Sequence, residues 1–360
     1  MPAGLLSRMT RRFVPLTNLS GDESVALFPS LGHLDERGDR WHVQVHGEVF
    51  APGTVGLGKR FLLKLLQRAM KAPDADFQTE LFRSRISRFL ARDCKGKTIA
   101  VRCDAGTEAV TKKSRNNGHF FGALELPAAA IGPLAPSGCG NVARIRLEIV
   151  HPDGSGSLAV GQAFLLPAEG VSVISDIDDT LKHSYVACKR TLLANTFLRE
   201  FAPISGMAEL FRDWAGVGAA FHYVSSSPWQ LYRHLAEHLA EQGFPDGSYH
   251  LRAFRLRDHL IRRILMLRRS GKAAVIRGLL QMFPRRRFVL VGDSGEADPE
   301  IYGAMARRFP RQVAGIYIRQ LDGPRNSAQR YQRAFRGVRP DSVRLFREAQ
   351  ELAGTKPGLG

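Results

Sequence analysis

The sequence predicts an α/β protein: a parallel-sheet domain with crossover helices preceded by a smaller β-rich domain with a helical insertion. Three observations predict it. Past Pro167, short apolar runs alternate with helical patterns, as a parallel sheet with crossover helices requires. Between residues 97 and 164, brief β-rich runs are separated by Gly and Pro clusters, such as Gly132-Pro133 and Pro152-Asp153-Gly154-Ser155-Gly156. Ahead of these, residues 58–90 carry recurring Leu, Phe, Ile and Ala at helical spacing.

In chain order, residues 1–40 mix Leu and Phe with Gly, Asp and Arg and read as an irregular N-terminal segment. Residues 41–50 alternate as a strand, and Pro73 divides the helical stretch that follows. Lys64, Arg68 and Lys71 give the first part of that stretch a basic face, with its apolar face expected to pack inward. Strands are expected at 98–103, 119–126, 143–150 and 157–164, which closes a β-rich accessory domain over 41–167. Residues 168–345 form the α/β unit, with buried strands at 171–174, 219–224, 287–291 and 313–318. Helices are expected at 228–241 and 272–283, with a further strand near 249–252. Ser227-Pro228 is the expected start of the first helix and Gly243 its stop. Residues 346–360 read as a C-terminal tail.

Lys and Arg number 52 against 34 Asp and Glu, a formal charge of +18, which attracts anionic partners without choosing among phosphometabolites, lipid headgroups and nucleic acid. No groove-reading motif accompanies the charge, so no specific nucleic-acid partner is expected. The four cysteines have no zinc-type spacing and are expected to be reduced and structural. No apolar run approaches the roughly 18 residues of a spanning helix. Arg11-Arg12-Phe13 resembles part of a twin-arginine signal, but polar residues and Pro15 interrupt the apolar core, so the expectation is a non-exported chain, cytoplasmic with peripheral contact at a membrane surface.

The chemistry is concentrated at strand ends. Asp176 and Asp178 follow the first strand of the α/β unit, two residues apart. Ser225-Ser226-Ser227 follows the second, Lys272 begins a helix, and Gly292-Asp293-Ser294-Gly295-Glu296-Ala297-Asp298 follows a later strand. A phosphorylated substrate repels a carboxylate nucleophile, and magnesium held by oxygen ligands relieves that repulsion. An isolated Asp-rich loop is usually a cap or a turn, and Asp179 and Thr180 fit that role here. Gly292-Asp293-Ser294-Gly295 is not a serine-protease nucleophile, because Glu296 stands where the next glycine should be. Gly271-Lys272 lacks the glycine spacing of a P-loop.

The ordered set resembles the four motifs of the haloacid dehalogenase (HAD) superfamily. By that resemblance Asp176 is the nucleophile and forms an aspartyl-phosphate. Asp178 protonates the leaving oxygen and then activates water, and Ser225, or Ser226 or Ser227 if the strand ends later, binds the phosphoryl group together with Lys272. Asp176 and Asp293 coordinate Mg2+ with the backbone carbonyl of Asp178, and Asp298 either binds the metal, directly or through water, or orients Lys272.

A closer resemblance lies in Val173-Ile174-Ser175-Asp176-Ile177-Asp178-Asp179-Thr180-Leu181-Lys182, in Tyr223-Val224-Ser225-Ser226-Ser227-Pro228-Trp229-Gln230, and in Gly292-Asp293-Ser294-Gly295-Glu296-Ala297-Asp298-Pro299-Glu300-Ile301-Tyr302. Together with Ile316-Tyr317-Ile318-Arg319, these resemble the App1 phosphatidate phosphatase family over about residues 168–320. The family implies Mg2+-dependent removal of phosphate from phosphatidate to leave diacylglycerol. Trp229 is expected either to contact lipid or to pack at a helix start. Arg262-Arg263, Arg268-Arg269 and Arg285-Arg286-Arg287 are candidates for transient contact with an anionic membrane. A soluble phosphomonoester is the alternative substrate, and a basic nucleic-acid-binding module the non-enzymatic alternative; the oligomeric state is not readable.

Overall fold

The computed structural model describes residues 17–53, 57–131, 142–153, 156–253, 269–323 and 325–357. Arg11, Arg12, Cys139, Arg262, Arg263 and Arg268 lie outside them.

The first sheet is mixed. Its strands are β1 (Ser24–Phe28), β2 (Ser30–Leu34), β3 (Arg40–Ala51), β4 (Arg92–Asp93), β5 (Ala100–Cys103), β6 (Glu108–Val110), β7 (His119–Pro127), β8 (Ala143–Val150) and β9 (Ser157–Leu166). The long strand β3 organises it, pairing antiparallel with β7 along one edge and with β1 and β2 along the other. Trp41, Val43, Val45 and Val49 turn into the core, the period of two that made this strand legible. Residues 24–34, expected to be irregular, are instead two strands: β1 and β2 are five residues each, joined across Pro29, too short for an alternation to stand out.

The insertion follows β3 as α1 (Leu57–Met70), a 3-10 turn (Asp74–Gln78) after Pro73, and α2 (Glu80–Leu90). Thr79 caps α2 by accepting the amide of Phe82 at 3.2 Å. Leu66, Met70, Phe82, Ile86 and Phe89 share one core with Phe197, Phe211 and Trp229 from the second half of the chain. The apolar face of α1 is therefore spent on packing, and Lys64, Arg68 and Lys71 face solvent.

The second sheet is wholly parallel. It comprises β10 (Val171–Ser175), β11 (Ala220–Pro228), β12 (Gly247–Arg252), β13 (Arg287–Asp293), β14 (Val313–Arg319) and β15 (Val343–Phe346), in spatial order β12-β11-β10-β13-β14-β15. Its helices are α3 (Lys189–Phe197), α4 (Met207–Gly216), α5 (Tyr232–Glu241), α6 (Arg269–Met282), α7 (Asp298–Arg308) and α8 (Ala328–Ala334). With both faces covered, β10 and β13 read as near-continuous apolar runs. The chain runs outward from β10 through β11 to β12, then returns to β13 on the other side of β10. The carboxyl ends of β10 and β13 therefore flank a switch point, where an α/β sheet opens a crevice.

Two expectations change. Ser227-Pro228 does not start a helix: β11 continues through Pro228, a 3-10 turn covers Trp229–Leu231, and α5 begins at Tyr232. A residue before proline is pushed towards extended backbone. The expected tail is also packed: Phe346 ends β15, and Ala349 and Leu352 are buried in the core.

Among the basic clusters, Arg286 is buried. It donates to the carbonyls of Pro167, Glu169 and Val171 and to Ser172 Oγ, so it fastens the link between the two sheets instead of meeting a membrane. Trp229 is 5% exposed and stacks on Phe28 of β1 with ring centroids 4.1 Å apart, the packing role. Cys94 and Cys103 are free and buried, whereas Cys188 is free and exposed. Among the described residues no helix is long and apolar enough to cross a membrane.

Candidate active site

The switch point brings together Asp176, Lys272, Asp293 and Asp298, and the loop after β10 and strand β11 carry Asp178 and Ser225 as a second, adjoining group. Asp176 is the first residue past β10, Asp293 ends β13, and Asp298 opens α7 five residues later. One carboxylate oxygen from each of the three lies within 4.8 Å of the other two, and all three side chains are buried. Lys272, in the first turn of α6, enters this cluster. Its Nζ is 2.5 Å from Asp298 Oδ1, 3.0 Å from Asp176 Oδ1 and 4.0 Å from Glu296. Asp298 therefore pairs with Lys272 and is also one of the three clustered carboxylates.

Gly292 makes this approach possible. A Cβ there would lie 2.2 Å from Asp298 Oδ2 and 2.8 Å from the Tyr302 ring, so only glycine fits. Tyr302 donates to the carbonyl of Val291 and reaches Asp298 Oδ2, tying α7 back to β13.

Three carboxylates and one ammonium leave an excess of buried negative charge. Burial pushes Asp176 and Asp293 well above the ordinary carboxylate range, each reinforced by its acidic neighbours against the pull of Lys272. Glu296 is pushed up to about 7, mainly by burial, and accepts a hydrogen bond from Ser226 at 3.3 Å. Asp293 Oδ1 is satisfied by the amides of Gly295 and Glu296, but Asp176 Oδ2 and Asp293 Oδ2 have no hydrogen-bond partner among the described residues. Buried anionic oxygens without donors are costly unless a cation meets them. An all-oxygen set of this charge suits a hard divalent cation such as Mg2+.

Asp178 is set apart from the triad. Its Oδ1 accepts from Lys182 Nζ and Ser184 Oγ, both at 2.7 Å, and its Oδ2 from Ser225 at 3.0 Å and Ser227 at 2.7 Å. Burial opposes its ionisation, but Lys182 and the hydroxyls outweigh it and hold the carboxyl well below its ordinary range. Ser225 is thus in the site but turned to Asp178, and Ser227 shares its role. Asp179 is a loop anchor, as expected: at φ +56° its carboxylate accepts the amides of Ser184, Tyr185 and Val186.

Lys182, Ser184, Glu296 and Arg330 carry roles the sequence reading did not assign. Arg330 donates to the carbonyls of Ser294 and Glu296 while paired with Glu300, and Arg325 donates to the carbonyl of Gly295, so two arginines clamp the loop after β13. Lys182 lay within a quoted motif, and its position four residues past Asp178 was the available signal; Arg330 gave none.

A parallel α/β sheet presenting a buried, metal-competent acidic centre with a lysine at its switch point is the class defined by this geometry. Residues 171–320 match the family model described as the catalytic domain of phosphatidate phosphatase APP1. Phosphatidate phosphatase APP1 of Saccharomyces cerevisiae is 35% identical over 154 residues, 42% of this chain and 26% of the yeast protein. An uncharacterised protein of Schizosaccharomyces pombe is 36% identical over 164 residues, 44% of this chain and 26% of its own. The chain thus spans about a quarter of the length of these relatives. A β-glucuronidase structure from Ruminococcus gnavus aligns at 11% identity and a TM-score of 0.26, over 89% of this chain and 53% of that one, and carries no argument.

Proposed function

We propose that the chain is an Mg2+-dependent phosphatidate phosphatase that works through an aspartyl-phosphate on Asp176, in a HAD-like Rossmannoid domain over residues 168–345, with residues 41–167 as an accessory domain. One observation carries the reading: Asp176 and Asp293 each present a buried oxygen without a donor, side by side with Asp298 and Lys272. The App1 match and the yeast relative supply the substrate class.

Asp176, Asp293 and Asp298 would hold the metal, with the Asp178 carbonyl as a further ligand. Bound Mg2+ supplies charge neutralisation for the phosphoryl oxygens. Asp176 attacks phosphorus as the bond to the leaving oxygen breaks, and Lys272 and a Ser225 hydroxyl turned from Asp178 balance the phosphoryl charge. Asp178 gives its proton to the departing oxygen, then takes one from the water that hydrolyses the aspartyl-phosphate. The four donors around Asp178 favour the ionised form that the second step uses. The arriving phosphoryl charge favours the protonated form that the first step uses. With its +18 charge, the chain is read as cytoplasmic and in transient peripheral contact with anionic membranes.

The test compares phosphate release from phosphatidate in vesicles with release from soluble phosphomonoesters, with and without chelator. Asp176→Asn is expected to lower turnover by at least about 10³-fold while the protein stays folded. Full activity in that variant removes Asp176 as the nucleophile. Activity confined to soluble esters transfers the same chemistry to the alternative substrate.

A further inference from the structure

A cavity of about 500 Å³ lies between the two sheets, next to the site but outside it. Trp229, two residues past Ser227, and Val275, one turn past Lys272, form its border with the catalytic loops. From the first sheet it receives His46, Arg115, Asn117 and His119, and from β12 it receives His250. No carboxylate is among the described lining residues.

Its polar wall is pre-organised. The Arg115 guanidinium lies 4.6 Å above the Phe121 ring, and Phe121 stacks on His46 with centroids 4.4 Å apart and planes 8° apart. Among the described residues Arg115 has no acidic partner, although it is exposed and stacked. Nε2 of His46 and Nδ1 of His119 are 3.0 Å apart, so one ring donates to the other. When His46 donates, His119 carries its proton on Nε2, a buried atom with no hydrogen-bond partner. The nearest acid, Glu48, is 3.7 Å from that atom and is engaged by Arg88 at 2.5 Å. The His250 ring is held from behind through Ser248 Oγ, His222, Ser172 Oγ and Arg286. A guanidinium stacked beside imidazole rings, in a cavity with no carboxylate among its described lining residues, suits an anion with several acceptor oxygens.

We propose that this cavity is a second anion site, taking a non-reacting phosphate group either as free phosphate or on the headgroup of an anionic lipid. It gives the first sheet a binding role. The inference does not depend on the hydrolytic reading.

Inorganic phosphate is titrated into the full chain in the presence of chelator, and the imidazole nitrogen resonances of His46, His119 and His250 are followed. In parallel, co-sedimentation is measured with vesicles of phosphatidylcholine alone and of phosphatidylcholine containing phosphatidate. The controls are Arg115→Gln, a surface change that preserves the fold by circular dichroism, and Asp176→Asn. The expected result is a saturable shift of the His46 and His119 resonances, weakened about tenfold by Arg115→Gln and retained in Asp176→Asn. If only the phosphatidate vesicles elicit an Arg115-dependent response, the ligand is the headgroup. If phosphate alone does so, the ligand is the free anion. Absence of any Arg115-dependent response in both arms, or phosphate binding lost only in Asp176→Asn, overturns the proposal.

Discussion

Asp178 is surrounded by four donors, and Lys182 is the one that carries charge. Both members of the pair are buried, so removing the cation strands a carboxylate in low dielectric. Lys182→Met is expected to destabilise the protein by about 3 kcal/mol or more, read as a lowered urea midpoint. Adding Asp178→Asn to it is expected to restore part of that loss, since the stranded charge is gone. If the double variant is no more stable than Lys182→Met, the pair does not act through charge. The sequence made Asp176, Ser225, Lys272, Asp293 and Asp298 legible because each stands where an apolar run gives way to a polar loop or a helix begins. Lys182 and Ser184 reach Asp178 through a loop that turns at Asp179, at positive φ, a contact that no periodicity announces.

Strands β10, β11, β13 and β14 were readable within a few residues because burial on both faces demands unbroken apolar runs. The short strands β1, β2 and β15 were not. β1 and β15 each pair with one neighbour and β15 has two exposed residues among its four, whereas β2, though paired with both β3 and β9, is only five residues long. The end of β13 also depends on a residue chosen for lack of a side chain. Gly292→Ala is expected to push Asp298 away from Lys272 and lower turnover by about 10²-fold or more, together with an overpacking cost of about 1–3 kcal/mol in stability. Steady-state kinetics beside thermal melting separates the two effects. Unchanged turnover would mean that the Asp298 to Lys272 contact is dispensable.

The charge of +18 is only partly a surface property, since Arg85, Arg286, Arg325 and Arg330 bind main-chain carbonyls within the fold. Buried histidines impose a different constraint. Burial holds His119 and His250 at about 4, below the ordinary imidazole value. As pH falls through that ordinary value the unfolded chain takes up protons that the folded chain refuses until near 4. The contribution of these two histidines is therefore full above about pH 6.5 and is lost towards pH 4, while Asp176, Asp293 and Glu296, held above the ordinary carboxylate range, contribute in the opposite sense. The wild-type urea midpoint, taken relative to that of His250→Phe, is expected to fall between about pH 7 and pH 4.5. A difference between the two midpoints that is independent of pH over that interval would contradict this assignment. The Arg286 clamp has a consequence of another kind. The peptide joining β9 to β10 is gripped at the carbonyls of three alternate residues by a side chain immediately preceding β13, the strand that ends in Asp293. A joint anchored in this way behaves as a weld and not as a hinge, so a torque applied to the N-terminal sheet reaches the root of the catalytic strand without slack.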